Sequence, residues 1–569
     1  MAFLQHHELK ITTLSPVHIG CNETYEPTNY VIEDGALFEF SPTEALKVLD
    51  EADRKKLDNI VSGKPTSEML KKVQAYFYQR RKDLFAVSSH FLPVGKGIEA
   101  LYESRIGKTA QRESHDSEVL NRLGIERTSY NSNDRKPIFP GSSIKGAIRT
   151  ALLDSINQGN SLAVKYKDSG SRDGLNIAYQ ASKKLEAELL EGKFATDPLR
   201  LLSIGDALWQ QDDLPASEIY FALNRRKSHS KKEGRLLESM AEQRGLYQLL
   251  ECVSALRYRS LSTSVTIHNV DTAKPAVGKL PVDKFQWEIT DIAAACNRFY
   301  LPIFEKEMSL LKQLGYADPK WLENIQRIHE LIKDNKAFLL RLGRHSGAES
   351  VTLNGVRAIK IMKGKGNKPS FEKAAKTIWL AASENRAQQG MASFGWVLVE
   401  IDPKDDNEFC AALTAAVEPM KAWQNAFREK QQLQRLEIEK QELVRLKRQQ
   451  QEAEQAALEA EQQQQAKAAL EEAKQSMSAL AGEYFELTQA NYWQTDKNAF
   501  WAQGVIEEWL DKLEANNEPD LRAQMKKLME KHFKGALADP EKVGGKKNKP
   551  VYKPRVQAVA KRLNILDEA

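Results

Sequence analysis

The sequence predicts an α+β fold that is followed by a long α-helix and a small all-α domain. Short β-rich runs alternate with helical patterns over about the first 400 residues. Residues 421–480 consist mainly of Gln, Glu, Ala, Lys, Arg and Leu and contain no Gly or Pro, which is typical of a long helix. Aromatic residues return after residue 481. A chain of 569 residues is also too long for one ordinary domain.

The first elements follow from local turn and cap signals. Asp34 and Gly35 stand between two β-rich runs in residues 30–40, which predicts a two-residue hairpin. The sequence SPTE at residues 41–44 has the pattern of a capping box with Pro at the first helical position. We therefore expect a helix from there to about Asp50.

Later elements are assigned from periodicity and from Gly and Pro positions. Residues 104–136 are polar and rich in turn formers, which predicts a long loop or insertion. Residues 138–153 predict a short strand, a Pro-Gly turn and a helix, and Ile144, Ile148 and Leu152 form its apolar stripe. The remaining expectations are helices at 66–82, 236–258 and 287–334, a strand at 337–343, a hairpin at 351–362, and a glycine-bearing loop that leads into a strand at 390–401.

Changes in composition divide the chain into four predicted parts. These are residues 1–205, residues 206–405, a Gln/Glu/Ala-rich helix at 406–480, and a small helical domain with a basic tail at 481–569. Four leucines in the long helix have coiled-coil spacing, but Gln and Ala occupy most later core positions. The helix is therefore a spacer arm, a weak coiled coil or a helical hairpin. The tryptophans of the last part predict a helical core rather than a base-stacking surface.

Charge is distributed unevenly along the chain. Lys and Arg total 83 and Asp and Glu total 78, so the net charge is only +5. Residues 224–235 carry a local charge of +5, and residues 341–376 and 520–569 carry +7 each, which leaves −14 on the rest. Clustered cations suit a polyanion, because affinity for nucleic acid comes from the neutralisation of phosphates. The alternative for each island is a solvated basic loop.

Several classes of protein are not supported. Four scattered cysteines predict neither a disulfide framework nor a cysteine-rich zinc site. We read no signal peptide and no apolar run of about 20 residues, and we expect a cytoplasmic protein without a membrane anchor. No P-loop, zincin helix, nucleophile elbow or dinucleotide fingerprint is present, and we expect no metal and no cofactor.

Two glycine-bearing segments follow predicted strands and contain a histidine. In LSPVHIG at residues 14–20, Gly20 permits unusual backbone angles and His18 is either a ligand-facing group or a packed side chain that bonds a carbonyl. In RLGRHSG at residues 341–347, arginines and small polar residues at a strand end suit a backbone phosphate. The candidate residues of this segment are Arg341, Arg344, His345 and Ser346.

A third segment, PGSSIKGAIR at residues 140–149, opens a predicted helix. A helix N-terminus favours an anion through its free N–H groups and its dipole. Ser142 or Ser143 is either the helix cap or a phosphate contact, and capping is the commoner role of such a serine. Lys145 and Arg149 are four residues apart and share one face. The candidate residues are Gly141, Ser142, Ser143, Lys145, Gly146 and Arg149.

Together these segments resemble the RAMP superfamily of type III CRISPR systems. LSPVHIG, the hairpin NYVIEDGALFEF, PGSSIKGAIRTALL, RLGRHSG and FGWVLVEI occur in that order within residues 8–402. Within the superfamily the chain resembles the fifth, guide 3′-end capping subunit of the Csm (type III-A) effector complex. The resemblance implies RRM-like (ferredoxin-like) folds, usually paired, and places Gly390 and Gly395 in a late glycine-bearing loop that binds RNA.

The resemblance also implies a function and a set of partners. It implies a non-catalytic RNA-binding subunit that holds the 3′ region of a guide RNA, ends the filament of backbone subunits, and assists guide maturation and target-RNA engagement in antiviral defence. The implied partners are guide and target RNA, a neighbouring RAMP backbone subunit, and other effector subunits. The resemblance does not account for the segment beyond residue 420, which is an extension that recruits a host nuclease, docks a neighbouring subunit or extends the RNA contact along its basic tail.

One alternative function is a RAMP endoribonuclease. His18 or His345 would then deprotonate a 2′-hydroxyl, and a nearby Lys or Arg would stabilise charge on the phosphate, without a metal.

Overall fold

The computed structural model describes two compact units, Met1–Lys440 and Gln441–Ala569. The described residues are 3–108, 110–112, 118–120, 122–161, 184–191, 196–228, 231–232, 235–236, 238–269, 285–362, 366–538 and 549–565. The predicted basic island at 224–235 and the basic tail therefore lie partly outside the described residues. The division into four parts stays a prediction.

The first sheet of the N-terminal unit is built around strand Leu4–Thr13. This strand pairs antiparallel with Arg257–His268 on one side and with Trp396–Ile401 on the other. The order across the sheet is Ala337–Arg341, Trp396–Ile401, Leu4–Thr13, Arg257–His268, Ala207–Trp209 and Ile138–Phe139, and Leu202–Ile204 also pairs with Arg257–His268. Segments distant in sequence thus end side by side at one edge of the sheet.

Two helices, Gly141–Asn157 and Ile289–Leu314, pack against each other, and the second also packs on the first sheet. The predicted apolar stripe of the first helix is buried, as expected from its spacing. The Tyr300 hydroxyl donates a hydrogen bond of 3.0 Å to the carbonyl of Ala147 and joins the two helices.

The second sheet contains a strand in the region that the sequence predicts as a long loop. Strand Ile125–Thr128 lies between residues 104 and 136 and pairs in this sheet, so that the loop prediction is wrong there. The order across the sheet is Gly20–Tyr25, Ile125–Thr128, Tyr247–Val253, Ser217–Arg226, Thr377–Ala382 and Ala392–Ser393.

A third sheet contains the predicted hairpin. Strands Tyr30–Glu33 and Ala36–Glu39 pair antiparallel, and His90–Pro93 adds a third strand. Asp34 and Gly35 have φ values of 53° and 74°, as a tight hairpin turn requires.

The remaining elements of this unit are short. Its other helices are Pro42–Ala45, Glu51–Val61, Ser67–Gln79, Arg81–Val87, Lys96–Arg105, Met240–Gln243, Pro319–Ile325 and Ile328–Ile332. Its two-stranded pairs are Ala110–Arg112 with Glu118–Leu120, Lys231–Lys232 with Arg235–Leu236, and Ile359–Ile361 with Ser370–Glu372.

Three local predictions differ from the structure. Residues 236–258 were expected to be helical, but only the short helix Met240–Gln243 forms there, and strand Tyr247–Val253 and the start of the next strand follow it. Five consecutive residues of Tyr247–Val253 are buried, so the polar alternation that identifies a strand is absent. The hairpin at 351–362 is not formed either, since Ile359–Ile361 pairs with a strand beyond it. The helix predicted to about Asp50 ends at Ala45 and continues as a 3₁₀ turn.

The long helix runs over Glu408–Gln475 and matches the predicted element. Its first turns are anchored, because Phe409, Leu413 and Val417 are buried. The coiled-coil leucines are exposed to solvent, with Leu433 at 69% and Leu443 at 56% of full exposure.

The C-terminal unit is helical and has its own core. The helices after the long helix are Ala479–Ala490, Lys497–Phe500, Val505–Asn516, Pro519–Ala538 and Lys549–Arg562. Trp493, Trp501 and Trp509 are buried in one cluster with Tyr484, which confirms the predicted helical core. The chain therefore has the predicted α+β class with a long helix and a small helical domain, while the paired RRM-like arrangement stays a prediction.

Candidate nucleic-acid interface

Three of the predicted glycine-bearing segments meet at one edge of the first sheet. The Gly395 N–H donates to the carbonyl of Pro16 at 2.9 Å, and the Leu342 N–H donates to the carbonyl of Gly395 at 2.8 Å. The Arg344 N–H donates to the carbonyl of His18 at 2.8 Å. We call residues 14–20, 341–347 and 394–396 the loop junction. It forms because antiparallel pairing brings the ends of three strands to the same edge.

Two glycines make the close approach of these loops possible. Gly343 has a φ of +76°, and a Cβ atom there would lie 2.2 Å from the carbonyl oxygen of His18. Gly395 has a φ of +92°, and a Cβ atom there would lie 2.4 Å from the carbonyl oxygen of Leu342. A side chain at either position would meet both backbone strain and a steric clash.

Arg341 is a buried structural residue of the junction. One of its terminal nitrogens lies 2.7 Å from Glu307 Oε2, and its Nε donates to the Phe394 carbonyl at 3.0 Å. The indole N–H of Trp396 donates to the other Glu307 oxygen at 2.9 Å, and the guanidinium lies 4.8 Å from the Trp396 ring centre. The Arg341 charge is therefore compensated inside the protein.

His18 is also buried. Its Nδ1 donates to the backbone carbonyl of Glu251 at 2.7 Å, which leaves Nε2 as an unprotonated acceptor without a hydrogen-bond partner. Burial lowers the pKa of His18, so the ring is neutral. A Cβ atom at Gly20 would approach Nε2 to 3.3 Å, and Gly20 thus leaves room beside this ring. The packed, carbonyl-bonded alternative describes His18 in this structure.

The rest of RLGRHSG differs in burial from residue to residue. His345 stacks on Trp379 with ring centres 4.4 Å apart and bonds Gln248 Oε1 through Nε2 at 2.8 Å. Burial and, to a lesser degree, the Arg344 charge lower the pKa of His345 to about 3. Arg344 is exposed and pairs with Glu126, and Ser346 is buried. Within this segment Arg344 is the cation that solvent, and hence a polyanion, can reach.

The helix-opening segment lies apart from the junction and is occupied by the protein's own carboxylates. The Gly141 N–H donates to Asp206 Oδ1 at 2.7 Å. Arg149 pairs with Asp197 at 2.8 Å and with Glu186 at 3.3 Å. The carboxylate of Asp206 thus already supplies the negative charge that the helix dipole favours at this N-terminus.

The side chains of this segment differ in what they offer a ligand. The expectation that Ser142 or Ser143 caps the helix is wrong, because Pro140 is the cap residue and Asp206, from another segment, accepts the hydrogen bond of the Gly141 N–H. Lys145 Nζ donates to the Leu202 carbonyl at 2.7 Å, and burial lowers its pKa. Ser142 and Gly146 are exposed. These two positions form the accessible part of the segment.

Gly390 does not join the loop junction. The following residue, Met391, exchanges backbone hydrogen bonds with Tyr316 and Asp318, and no atom lies within 4 Å of a Cβ built at Gly390. The late glycine-bearing loop therefore divides into an exposed start and a packed end at Gly395.

A buried charged cluster beside His18 was missed from the sequence. The guanidinium of Arg127 lies 3.1 Å from Glu39, 3.8 Å from Glu251 and 4.2 Å from the Tyr25 ring centre. Burial raises the pKa of Glu251 to about 7, although the Arg127 charge opposes this shift. The sequence signal for this cluster is Arg127, a charged residue at an inward position of residues 125–128. We assigned these residues to a long loop or insertion.

Metal and membrane sites were also sought within the described ranges. No three His, Cys, Asp or Glu side chains there are grouped so that they could hold a metal ion. None of the described helices is long and apolar enough to cross a bilayer.

Comparison with known families identifies the class of protein. The RAMP superfamily model matches residues 10–345, which is more than half of the chain. The chain therefore belongs to the RAMP superfamily, and the resemblance given by its glycine-bearing segments is confirmed.

Individual relatives are more distant. The CRISPR system protein Csm5 of Methanocaldococcus jannaschii is 28% identical over 208 residues, which cover 35% of this chain and 42% of that protein. The chain thus aligns with less than half the length of this relative. A chain from the cryo-EM structure of a type III-A Csm-crRNA-target RNA ternary complex matches with 19% identity and a TM-score of 0.41 over 69% of this chain and 100% of its own. The crystal structure of T. onnurineus Csm5 matches with 17% identity and a TM-score of 0.40 over 68% and 99%.

Proposed function

We propose that this RAMP protein is a non-catalytic RNA-binding subunit of a type III-A CRISPR ribonucleoprotein. In this proposal it binds the 3′ region of the guide RNA, ends the filament of backbone subunits, and assists guide maturation and engagement of the target RNA. Sequence would then be read by pairing between guide and target, while the protein holds the RNA backbone.

The observation that carries the proposal is the RAMP match over residues 10–345 together with the similarity to a Csm5 protein. The charge distribution agrees with the proposal, because the basic islands at residues 224–235 and 341–376 both belong to the N-terminal unit. Clustered Lys and Arg supply the affinity for an RNA backbone.

The state of the two histidines supports the non-catalytic part of the proposal. A general base must reach the proton that it removes and must titrate near the working pH. His18 is fully buried, and His345 is held between Trp379 and Gln248 with a pKa lowered to about 3. Neither ring is placed to deprotonate a 2′-hydroxyl of bound RNA.

RNA binding is tested by titrating the full chain with a labelled single-stranded RNA at several salt concentrations. We expect log K to fall linearly with log[salt], with a slope near 0.7 for each phosphate contacted. Affinity that does not depend on salt would contradict the proposal.

The helix-opening segment allows a matched pair of variants. Ser142→Glu places a carboxylate on an exposed side chain in the first helical turn, where it stabilises the helix. We expect it to weaken RNA binding about tenfold by like-charge repulsion, whereas Ser142→Gln leaves binding unchanged. Equal affinities of the two variants would show that this segment does not contact RNA.

The position in the complex and the absence of cleavage need separate measurements. Native mass spectrometry of the chain co-expressed with a guide RNA and a RAMP backbone subunit should give one copy per complex. Several copies per complex would exclude an end-capping role. Metal-independent cleavage that leaves a 2′,3′-cyclic phosphate and is lost in His18→Ala would establish the endoribonuclease alternative instead. Recruitment of a host nuclease by residues 421–569 stays a prediction, tested by deletion of that segment.

A further inference from the structure

A cavity on the outer side of helix Ile289–Leu314 collects cations that the proposed function has not used. Its volume is ≈ 260 Å³, and it is partly open to solvent. Helix residues form one wall, and the segments around Glu349 and Lys373 form the others. The cationic side chains that line it are Lys227, Arg298, Lys306, Arg357 and Lys373.

Both carboxylates of the cavity are already engaged. Glu307 directs one oxygen to Arg341 at 2.7 Å and the other to the Trp396 indole at 2.9 Å. Glu349 accepts from Lys227 Nζ at 2.6 Å. Burial alone would raise the pKa of Glu349, but the charge and hydrogen bond of Lys227 lower it overall, so that Glu349 is ionised. Within the described residues, Glu307 and Glu349 form no ion pair with Arg298, Lys306 or Lys373, whereas the Glu349 charge also acts on Arg357.

The remaining cations bond neutral groups or point to solvent. Arg298 donates to the Ser155 hydroxyl at 3.1 Å, and Arg357 donates to the Thr352 hydroxyl and carbonyl at 3.0 Å each. Burial lowers the pKa of Arg357, and the charges of Glu349 and Asp154 offset the cost of burying this guanidinium only in part. Lys306 and Lys373 are exposed at the rim. An anion in the cavity would offset this cost.

The helix wall of the cavity also carries apolar side chains. Pro302, Ile303 and Leu310 line it, next to the buried ring of Phe299. Pro302 has no N–H, so the carbonyl of Arg298 lacks its usual helical donor. Apolar surface and exposed cations within one cavity match the base and the phosphate of a nucleotide.

From these contacts we infer that the cavity binds one nucleotide unit of single-stranded RNA, with its base against Pro302, Ile303 and Leu310 and its phosphate between Lys306, Lys373 and Arg298. The inference rests on the proposed RNA-binding function and adds a defined contact to it. An opening to solvent is needed, because the RNA chain must enter and leave on both sides of the bound nucleotide.

The test compares two double variants of the full chain. Lys306→Ala/Lys373→Ala removes two exposed cations of the cavity, and Lys320→Ala/Lys333→Ala removes two exposed lysines elsewhere in the same unit. With single-stranded RNA, we expect the cavity variant to bind about tenfold more weakly and to lose about 0.7 from its salt slope, since the one phosphate held in the cavity contributes about 0.7. The control variant should behave like the wild type.

A second measurement locates the RNA. Cross-linking with 4-thiouridine RNA followed by peptide mass spectrometry should label residues 299–310 or 366–374 in the wild type, and labelling should fall in the cavity variant. If the wild type binds RNA but the two variants bind equally and labels fall elsewhere, the cavity inference is overturned and the proposed function stands. If the wild type shows no salt-dependent RNA binding, both are overturned.

Free nucleotides are distinguished from RNA in the same assay. If a labelled nucleoside monophosphate binds the wild type and not the cavity variant, while RNA binds both equally, the cavity is a free-nucleotide site and the RNA assignment is wrong.

Discussion

The loop junction and the cavity beside helix Ile289–Leu314 are connected by one ion pair. They differ in how far their charged side chains are compensated by other side chains of the protein. Arg341 faces the junction and is compensated by Glu307, whose own helix forms a wall of the cavity. In the junction the charged and polar side chains mostly satisfy one another, whereas in the cavity Lys306 and Lys373 remain exposed. The motif-like segments therefore shape the backbone, and lysines outside these segments carry exposed positive charge.

The largest effect should come from removing the Arg341 charge. Arg341→Ala leaves Glu307 buried without its cation, and we expect the free energy of unfolding to fall by about 3–5 kcal/mol. The control is Arg344→Ala in the same loop, where the exposed pair with Glu126 should contribute at most about 1 kcal/mol. Urea denaturation of both variants measures the difference, and equal losses would contradict the structural role assigned to Arg341.

The second-largest loss of stability is expected where the loops of the junction approach each other closely. Gly343→Ala adds a Cβ 2.2 Å from the His18 carbonyl oxygen, and we expect a loss of about 3 kcal/mol from strain and clash. Gly390→Ala also has a positive φ of +69° but open space, so strain alone should cost about 1 kcal/mol. Thermal unfolding of the pair isolates the clash. Similar stabilities would mean that the loops are not in contact.

The buried cluster beside the junction gives a pH effect. The pKa of Glu251 is raised from its usual range to about 7, so the native state holds a proton that the unfolded state has released. The stability contributed by Glu251 is therefore complete below pH 4.5 and is lost as pH rises to about 7.

Glu251→Gln removes this titration. The stability of the wild type relative to the variant should fall by up to about 3 kcal/mol between pH 4.5 and 7.5 and then level off. Urea denaturation of both proteins at pH 5, 6, 7 and 8 measures this, and a constant difference would show that Glu251 is ionised throughout.

The smallest effect on stability is expected in the cavity. Lys306→Ala removes an exposed side chain, and we expect a change within about 0.5 kcal/mol. If the junction is mainly structural and the cavity mainly binds RNA, this variant lowers RNA affinity at nearly unchanged stability. A large loss of stability would place Lys306 in the fold rather than in binding.

Elements with strong local signals could be predicted from the sequence. The Asp34-Gly35 turn has its own backbone preference, and the composition of the long helix favours no other structure. The buried tryptophans of the C-terminal unit follow from the cost of exposing large aromatic side chains. RAMP membership followed from the order of several short segments, each of which is weak alone.

The strand at 247–253 and the one at 125–128 could not be predicted in the same way. The first is buried along five consecutive residues, and the second places Arg127 inward against Glu39 and Glu251. In both cases the pattern of polar and apolar residues depends on neighbours that are distant in sequence.

The sequence by itself determined the class of the fold, the glycine positions of the loops and the charge that each region carries, because these depend on local conformational preference and composition. Only the tertiary structure decided which charged side chains form ion pairs and which remain exposed to solvent. It paired Arg149 with Asp197 and Arg341 with Glu307, buried His18, and left Lys306 and Lys373 exposed. Ion pairs and burial are set by contacts between distant segments, and no local pattern encodes them.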